Sequence, residues 1–133
     1  MIRNHPTFFA ILFSLLFIGV FSISFYFIQK IPSKYDDFAK CLGEKGAEFY
    51  GAFWCPHCQG QKAMFGRAEK YLPYIECSTP DAKAQLQICR DKGVKAYPTW
   101  IFADGSAMVP AEGQNDGISL TELAQKTACV LPK

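Results

Sequence analysis

From Asn4 to Gln29 the chain carries no Asp, Glu, Lys or Arg, and Thr7 to Ile28 is almost wholly apolar, holding seven of the twelve Phe. As a helix this run spans about 33 Å, enough for the ~30 Å hydrocarbon core of a bilayer. An export signal that is cleaved has a shorter apolar core, about 7–15 residues, followed by small residues. Here the run ends on Phe25-Tyr26-Phe27-Ile28, which reads as an uncleaved anchor, with Ser22-Ile23-Ser24 the alternative cleavage region. The reading is a tail over 1–6, an anchor over 7–28, a linker over 29–33 and one domain over 34–133, a size that supports a single modest core.

Within that domain, Cys55-Pro56-His57-Cys58 follows Ala47-Glu48-Phe49-Tyr50-Gly51-Ala52-Phe53, which has the composition of a buried strand. It precedes Gln59 to Leu72, where Ala63, Met64, Phe65, Ala68, Tyr71 and Leu72 recur at helical spacing. The pair therefore lies at a strand-to-helix junction with Cys55 at the helix N-terminus. Unpaired N–H groups and the positive end of the helix dipole favour a thiolate there. Cys55 is expected to be the attacking sulfur and Cys58 the resolving one. Pro56 lacks an N–H that the first turn leaves unpaired anyway, and His57 adds positive charge beside the thiolate. Pairs of this type span about −270 to −120 mV, and Pro-His resembles the oxidising end. The redox group is then the Cys55–Cys58 disulfide itself, with no bound cofactor. A zinc half-site is the competing reading, but it needs a second close pair, and Cys77 and Cys89 are too far apart; no metal is expected.

The remaining order is a helix from Ser33, strand 47–53, helix 56–72, strand 74–77, helix 81–92, strands 99–103 and 107–110, and helix 119–128. Ser33 is read as a cap with Asp36 three residues on, and Asp104-Gly105-Ser106 as a hairpin turn. Trp54 and Trp100 are read as packing residues, Trp54 also shielding the active disulfide, and His5 has no assigned role. Twelve Lys and Arg balance twelve Asp and Glu over 34–133, so nothing suggests nucleic acid.

Phe53 to Cys58, Phe65-Gly66, Pro73 to Ser78, Cys89 and Tyr97-Pro98-Thr99-Trp100 together resemble the thioredoxin-like domain attached to bacterial vitamin K epoxide reductase homologues. That resemblance implies an α/β thioredoxin-like fold, a central mixed sheet flanked by helices, here preceded by one transmembrane helix. It implies a cis Pro98 that, with Tyr97 and Trp54, shapes a groove for an extended substrate, and a Cys77–Cys89 bridge. Cys41 and Cys129 are then left as a second bridge or as two buried free thiols. In that family the domain exchanges disulfides with a quinone-linked membrane domain. Phe49 stands where typical thioredoxins have a buried acid, with Glu48 expected on the opposite face. The multi-helix domain is missing from the sequence, so any such partner is expected to be a separate integral membrane protein.

Arg3 and the amino terminus flank the anchor on one side, Lys30 and Lys34 on the other, so the positive-inside count does not orient it. Four cysteines beyond the active pair do, since structural disulfides persist in oxidising compartments. The expectation is a periplasmic, single-pass thiol–disulfide oxidoreductase of the cytoplasmic membrane, acting on exported cysteine-containing proteins. The alternatives are a reductase, for instance in cytochrome maturation, and a copper metallochaperone with Met64 and His57 as its only local extra ligands. The sequence does not fix the direction.

Overall fold

Phe49 and Tyr50 are neighbours on one strand, point to opposite faces of it, and are both fully buried, so this strand is covered on both sides. In a computed structural model describing residues 6–114 and 116–133, the chain divides into two units, Met1–Pro32 and Ser33–Lys133. The tail residues 1–5, with Arg3 and His5, lie outside the described residues.

The first unit is helix α1, Pro6–Lys30. Its segment Phe8–Ile28 has a mean hydropathy of 2.5, and Phe13, Phe17 and Phe21 are all exposed. A helix apolar on every side has the length and composition of a bilayer span or of an export signal.

The second unit is a four-stranded mixed sheet in the order β2-β1-β3-β4. Its strands are β1 Glu48–Gly51, β2 Tyr74–Glu76, β3 Thr99–Ile101 and β4 Ala107–Met108. β1 is parallel to β2 and antiparallel to β3, and β3 is antiparallel to β4. The parallel pair needs a crossover, supplied by α3, Pro56–Ala63, and a 3-10 helix, Gly66–Tyr71. Helices α2 (Asp36–Glu44), α4 (Gln87–Asp91) and α5 (Leu120–Thr127) complete the unit.

Alternation along the strands builds two cores. Phe49 and Trp100 face the larger one with Phe38, Leu42, Phe65, Ile118 and Leu123, while Tyr50 faces a smaller one with Cys77, Cys89 and Val94. Phe49 stacks on Trp100, centroids 4.9 Å apart and planes 6° apart, across the register pair those residues form. Two bridges staple the unit, Cys77–Cys89 and Cys41–Cys129.

Several elements are shorter than the sequence predicts. The helix expected over 56–72 stops at Ala63, because Gly66 takes a left-handed φ of +55° that an α-helix cannot carry; Phe65, Ala68 and Leu72 are still buried. The helix expected over 81–92 shrinks to five residues. Upstream of it the Asp81 carboxylate accepts from Thr79 Oγ1 and Lys83 N–H, a local turn that competes with helix, and Ser78 pairs with Gln85. The strand expected over 47–53 ends at Gly51, where Cys55 N–H turns back to the Ala52 carbonyl. The strand expected over 99–103 ends at Ile101, ahead of the Asp104–Ser106 turn, in which Asp104 accepts from Ser106 N–H at 2.9 Å, and the strand expected over 107–110 is Ala107–Met108. Ser33 does not cap α2 through its side chain: its N–H donates to Asp36 Oδ2 at 3.1 Å and the helix begins at Asp36. The full capping box is at α5, where Ser119 and Glu122 bond reciprocally.

Candidate active site

Cys55 is the N-cap of α3, in extended conformation, with Pro56 in the first turn. Its sulfur accepts the Cys58 N–H at 3.2 Å, so one of the orphan donors of the helix is aimed at it. The two sulfurs of the reduced pair are 2.7 Å apart. Cys58 is fully buried, and Cys55, the expected attacking sulfur, is only 4% accessible. The cause is the loop across from it. The Tyr97–Pro98 bond is cis, and the Tyr97 carbonyl oxygen lies 3.7 Å from Cys55 Sγ.

That loop is held from the side. The Tyr97 hydroxyl accepts from Gln85 Nε2 at 2.9 Å, and its ring meets Trp54 edge-on with centroids 6.0 Å apart. Trp54 in turn donates through Nε1 to Ser78 Oγ at 2.8 Å and stays half exposed, at the rim of the pair. Pro56 and His57 are exposed. His57, Tyr97, Pro98, Val109, Pro110 and Gln114 line an open groove of about 300 Å³.

Burial, followed by the hydrogen bond to Cys55, pushes the Cys58 thiol up to about 12. The pair is thus asymmetric: one sulfur served by a helix N-terminus, the other held as a thiol. Chemically, such an arrangement can form a mixed disulfide at Cys55 and close it with Cys58. Among the described residues no cluster of His, Cys, Asp or Glu is placed to hold a metal ion.

Residues 36–126 match the family model for thioredoxin. The chain belongs to the thioredoxin family. Its second unit has the thioredoxin fold and carries the dithiol of a protein thiol–disulfide oxidoreductase, in which the cysteine pair itself is the redox group. The chain is 41% identical over 111 residues to the thiol-disulfide oxidoreductase LTO1 of Arabidopsis thaliana, covering 77% of this chain and 27% of that protein. It is 30% identical to protein disulfide-isomerase erp38 of Neurospora crassa over 75% of this chain and 29% of that one. The protein disulfide-isomerase of Humicola insolens is 29% identical, over 71% of this chain and 19% of its own. The chain therefore spans less than a third of the length of these relatives.

Sequence reasoning missed two parts of this thioredoxin site. Gln61 is fully buried, receiving Ile118 N–H at 2.7 Å and Trp100 Nε1–H at 3.3 Å and donating to the Ile118 carbonyl at 3.0 Å. It ties α3 to β3 and to the approach of α5. A glutamine in a polar helical stretch reads as solvent-facing; the one available signal was Gly117, whose φ of +96° and lack of a Cβ leave room for the Gln61 amide. The second is a polar chain beginning beside Cys58, with Tyr74 bonded to Glu76 and lying under the Lys62 ammonium.

Proposed function

We propose that the protein is a membrane-anchored, extracytoplasmic thiol–disulfide oxidoreductase that donates its Cys55–Cys58 disulfide to exported cysteine-containing proteins. A thiolate of the substrate attacks Cys55, and Cys58 leaves as the reduced sulfur. A second substrate thiol then attacks the mixed disulfide, so that the substrate gains a disulfide and the pair gains two electrons. An integral membrane, quinone-linked partner of the vitamin K epoxide reductase-like kind takes those electrons. The observation that carries the oxidising direction is the Cys58 N–H aimed at Cys55 Sγ: stabilising the reduced thiolate raises the potential of the disulfide. The Cys77–Cys89 and Cys41–Cys129 bridges support an oxidising compartment, and α1 supports attachment to a membrane. His57 tunes the thiolate, and Tyr97, Pro98 and Trp54 guide the substrate.

Equilibration of the protein with glutathione redox buffers tests the direction. The expected potential lies nearer about −120 mV than about −270 mV. A value at the lower end would overturn the oxidase reading and favour the reductase.

A further inference from the structure

Cys58 has to lose a proton each time the active disulfide closes and regain one each time it opens, yet it is fully buried and held as a thiol. Strand β1 supplies no acid for this. Phe49 occupies the face turned to α3, and Glu48 lies on the other face, bonded to Lys92 at 2.8 Å and to the Tyr50 hydroxyl at 2.7 Å.

The neighbouring strand offers one instead. Tyr74 and Glu76 pair in register with Phe49 and Gly51, so both sit on the face toward α3. Gly51 makes the approach possible: a Cβ there would lie 2.9 Å from Tyr74 Cε2 and 3.0 Å from Cys58 Sγ, so the phenol ring and the buried sulfur flank the same small space. The Tyr74 hydroxyl donates to Glu76 Oε2 at 2.8 Å. Glu76 Oε1 is fixed by Ser78 N–H at 2.8 Å and Phe53 N–H at 3.2 Å. Lys62, one helical turn beyond Cys58, places its ammonium 3.5 Å from the centre of the Tyr74 ring.

We propose that Tyr74 and Glu76 form the proton relay of Cys58, with Lys62 as a positioning charge. It rests on the oxidoreductase reading and holds for either net direction. In closing, the Cys58 thiol gives its proton to the Tyr74 oxygen as the Tyr74 proton passes to the Glu76 carboxylate. The Cys58 sulfur attacks Cys55 Sγ, the Cys55–Cys58 bond forms, the bond to substrate breaks, and the substrate sulfur leaves with the electron pair. Opening is the reverse: the incoming substrate thiolate bonds to Cys55, and the Cys58 sulfur recovers the proton from Glu76 through Tyr74. Burial and the Glu76 bond push the Tyr74 phenol far up, which keeps it a neutral donor and acceptor rather than a competing anion. The titratable and charged groups acting on Cys58 are then Cys55 and Lys62 from α3 and its cap and Tyr74 from β2, with Glu76 reaching it through the Tyr74 hydroxyl.

The reduced full-length protein in detergent, treated with Ellman's reagent in stopped flow, releases one thiolate when Cys55 reacts and a second when Cys58 closes the disulfide. The rate of the second release is read from about pH 5 to about pH 9. Glu76→Gln keeps the Oε1 acceptor for Ser78 and Phe53, and Tyr74→Phe removes a single oxygen, so both leave the packing in place. Each is expected to slow the second release at neutral pH by about 100-fold and to make it rise tenfold per pH unit, the loss typical of a missing general base. Lys62→Met is expected to give a smaller slowing, and Lys62→Arg to restore it. A Glu76→Gln profile superimposed on that of the unaltered protein would overturn the relay. Absence of any second release in the unaltered protein would instead overturn the oxidoreductase reading.

Discussion

The Cys55 sulfur accepts the Cys58 N–H while the Cys58 sulfur is enclosed by α3, Gly51 and the ring of Tyr74, so the two sulfurs have different surroundings. Cys58 is pushed up to about 12 from an ordinary value of 9.0. A thiol raised in the folded state favours folding fully below the unfolded value and loses that contribution as pH rises toward the folded one. The reduced protein is therefore expected to lose stability relative to Cys58→Ala from about pH 9 upward, whereas the oxidised protein, with no thiol to titrate there, is not. Urea unfolding midpoints of the three species against pH would show it, and parallel curves for reduced protein and variant would contradict the burial argument. Gln61 is a different kind of residue, structural rather than chemical. Its replacement in Gln61→Leu leaves the Ile118 N–H, Ile118 carbonyl and Trp100 Nε1–H unpaired inside the core. A loss of about 2 kcal/mol or more is expected in chemical denaturation, with α3 loosened from α5.

Five residues make a helix too short to stand alone, so α4 owes its place to Cys89, bridged to Cys77 at the end of β2. The loop before it supplies Gln85, whose amide donates to the Val94 carbonyl and the Tyr97 hydroxyl; the bridge thereby supports the loop that covers Cys55. Under mild reductant only Cys55–Cys58 is expected to open, since stable structural disulfides have potentials below about −300 mV. Differential alkylation with mass spectrometry reads this, and labelling of Cys77 and Cys89 as fast as Cys55 would mean the bridge turns over. Removing the bridge with Cys77→Ser and Cys89→Ser is expected to cost about 3 kcal/mol in the chain-entropy model and to slow exchange at Cys55. The strand-to-helix junction at Cys55 was legible because the apolar pattern changes period there, and the Asp104–Ser106 turn because its residues have the turn built into their side chains. The break in the crossover helix was not, since the sign of φ at Gly66 has no side-chain signature. The helix expected over 81–92 overlooked the Thr79–Asp81 turn, whose hydrogen bonds compete with its first turns. Tyr74 and Glu76 were seen as strand residues, but their role depends on which neighbour lies across Gly51, which only the β1–β2 register reveals.

At the scale of the whole chain, an apolar helix of 25 residues is joined to a thioredoxin domain of balanced charge that holds two bridges besides its active pair. Bridges of this kind have to form before they can stabilise, and the cytosol keeps thiols reduced, which supports the proposed delivery of the domain to the oxidising side. Topology reporters fused after Lys133 are expected to be active outside the cytoplasm, and strong signal from a reporter that works only in the cytosol would contradict the proposed location. Partners follow from the division of labour within the pair. With the resolving sulfur removed, a mixed disulfide at Cys55 cannot collapse, so Cys58→Ser in native membranes is expected to accumulate covalent complexes. These should include exported cysteine-containing proteins and a multi-pass membrane redox protein. Cys55→Ser should trap far less, because the sulfur that remains is fully buried beneath α3 and is kept as a thiol. Non-reducing gels followed by mass spectrometry of the trapped species distinguish the cases. Equal trapping by both variants would overturn the assignment of attacking and resolving sulfurs, and exported substrates trapped without any membrane protein would overturn the quinone-linked route while leaving the chemistry of the pair intact.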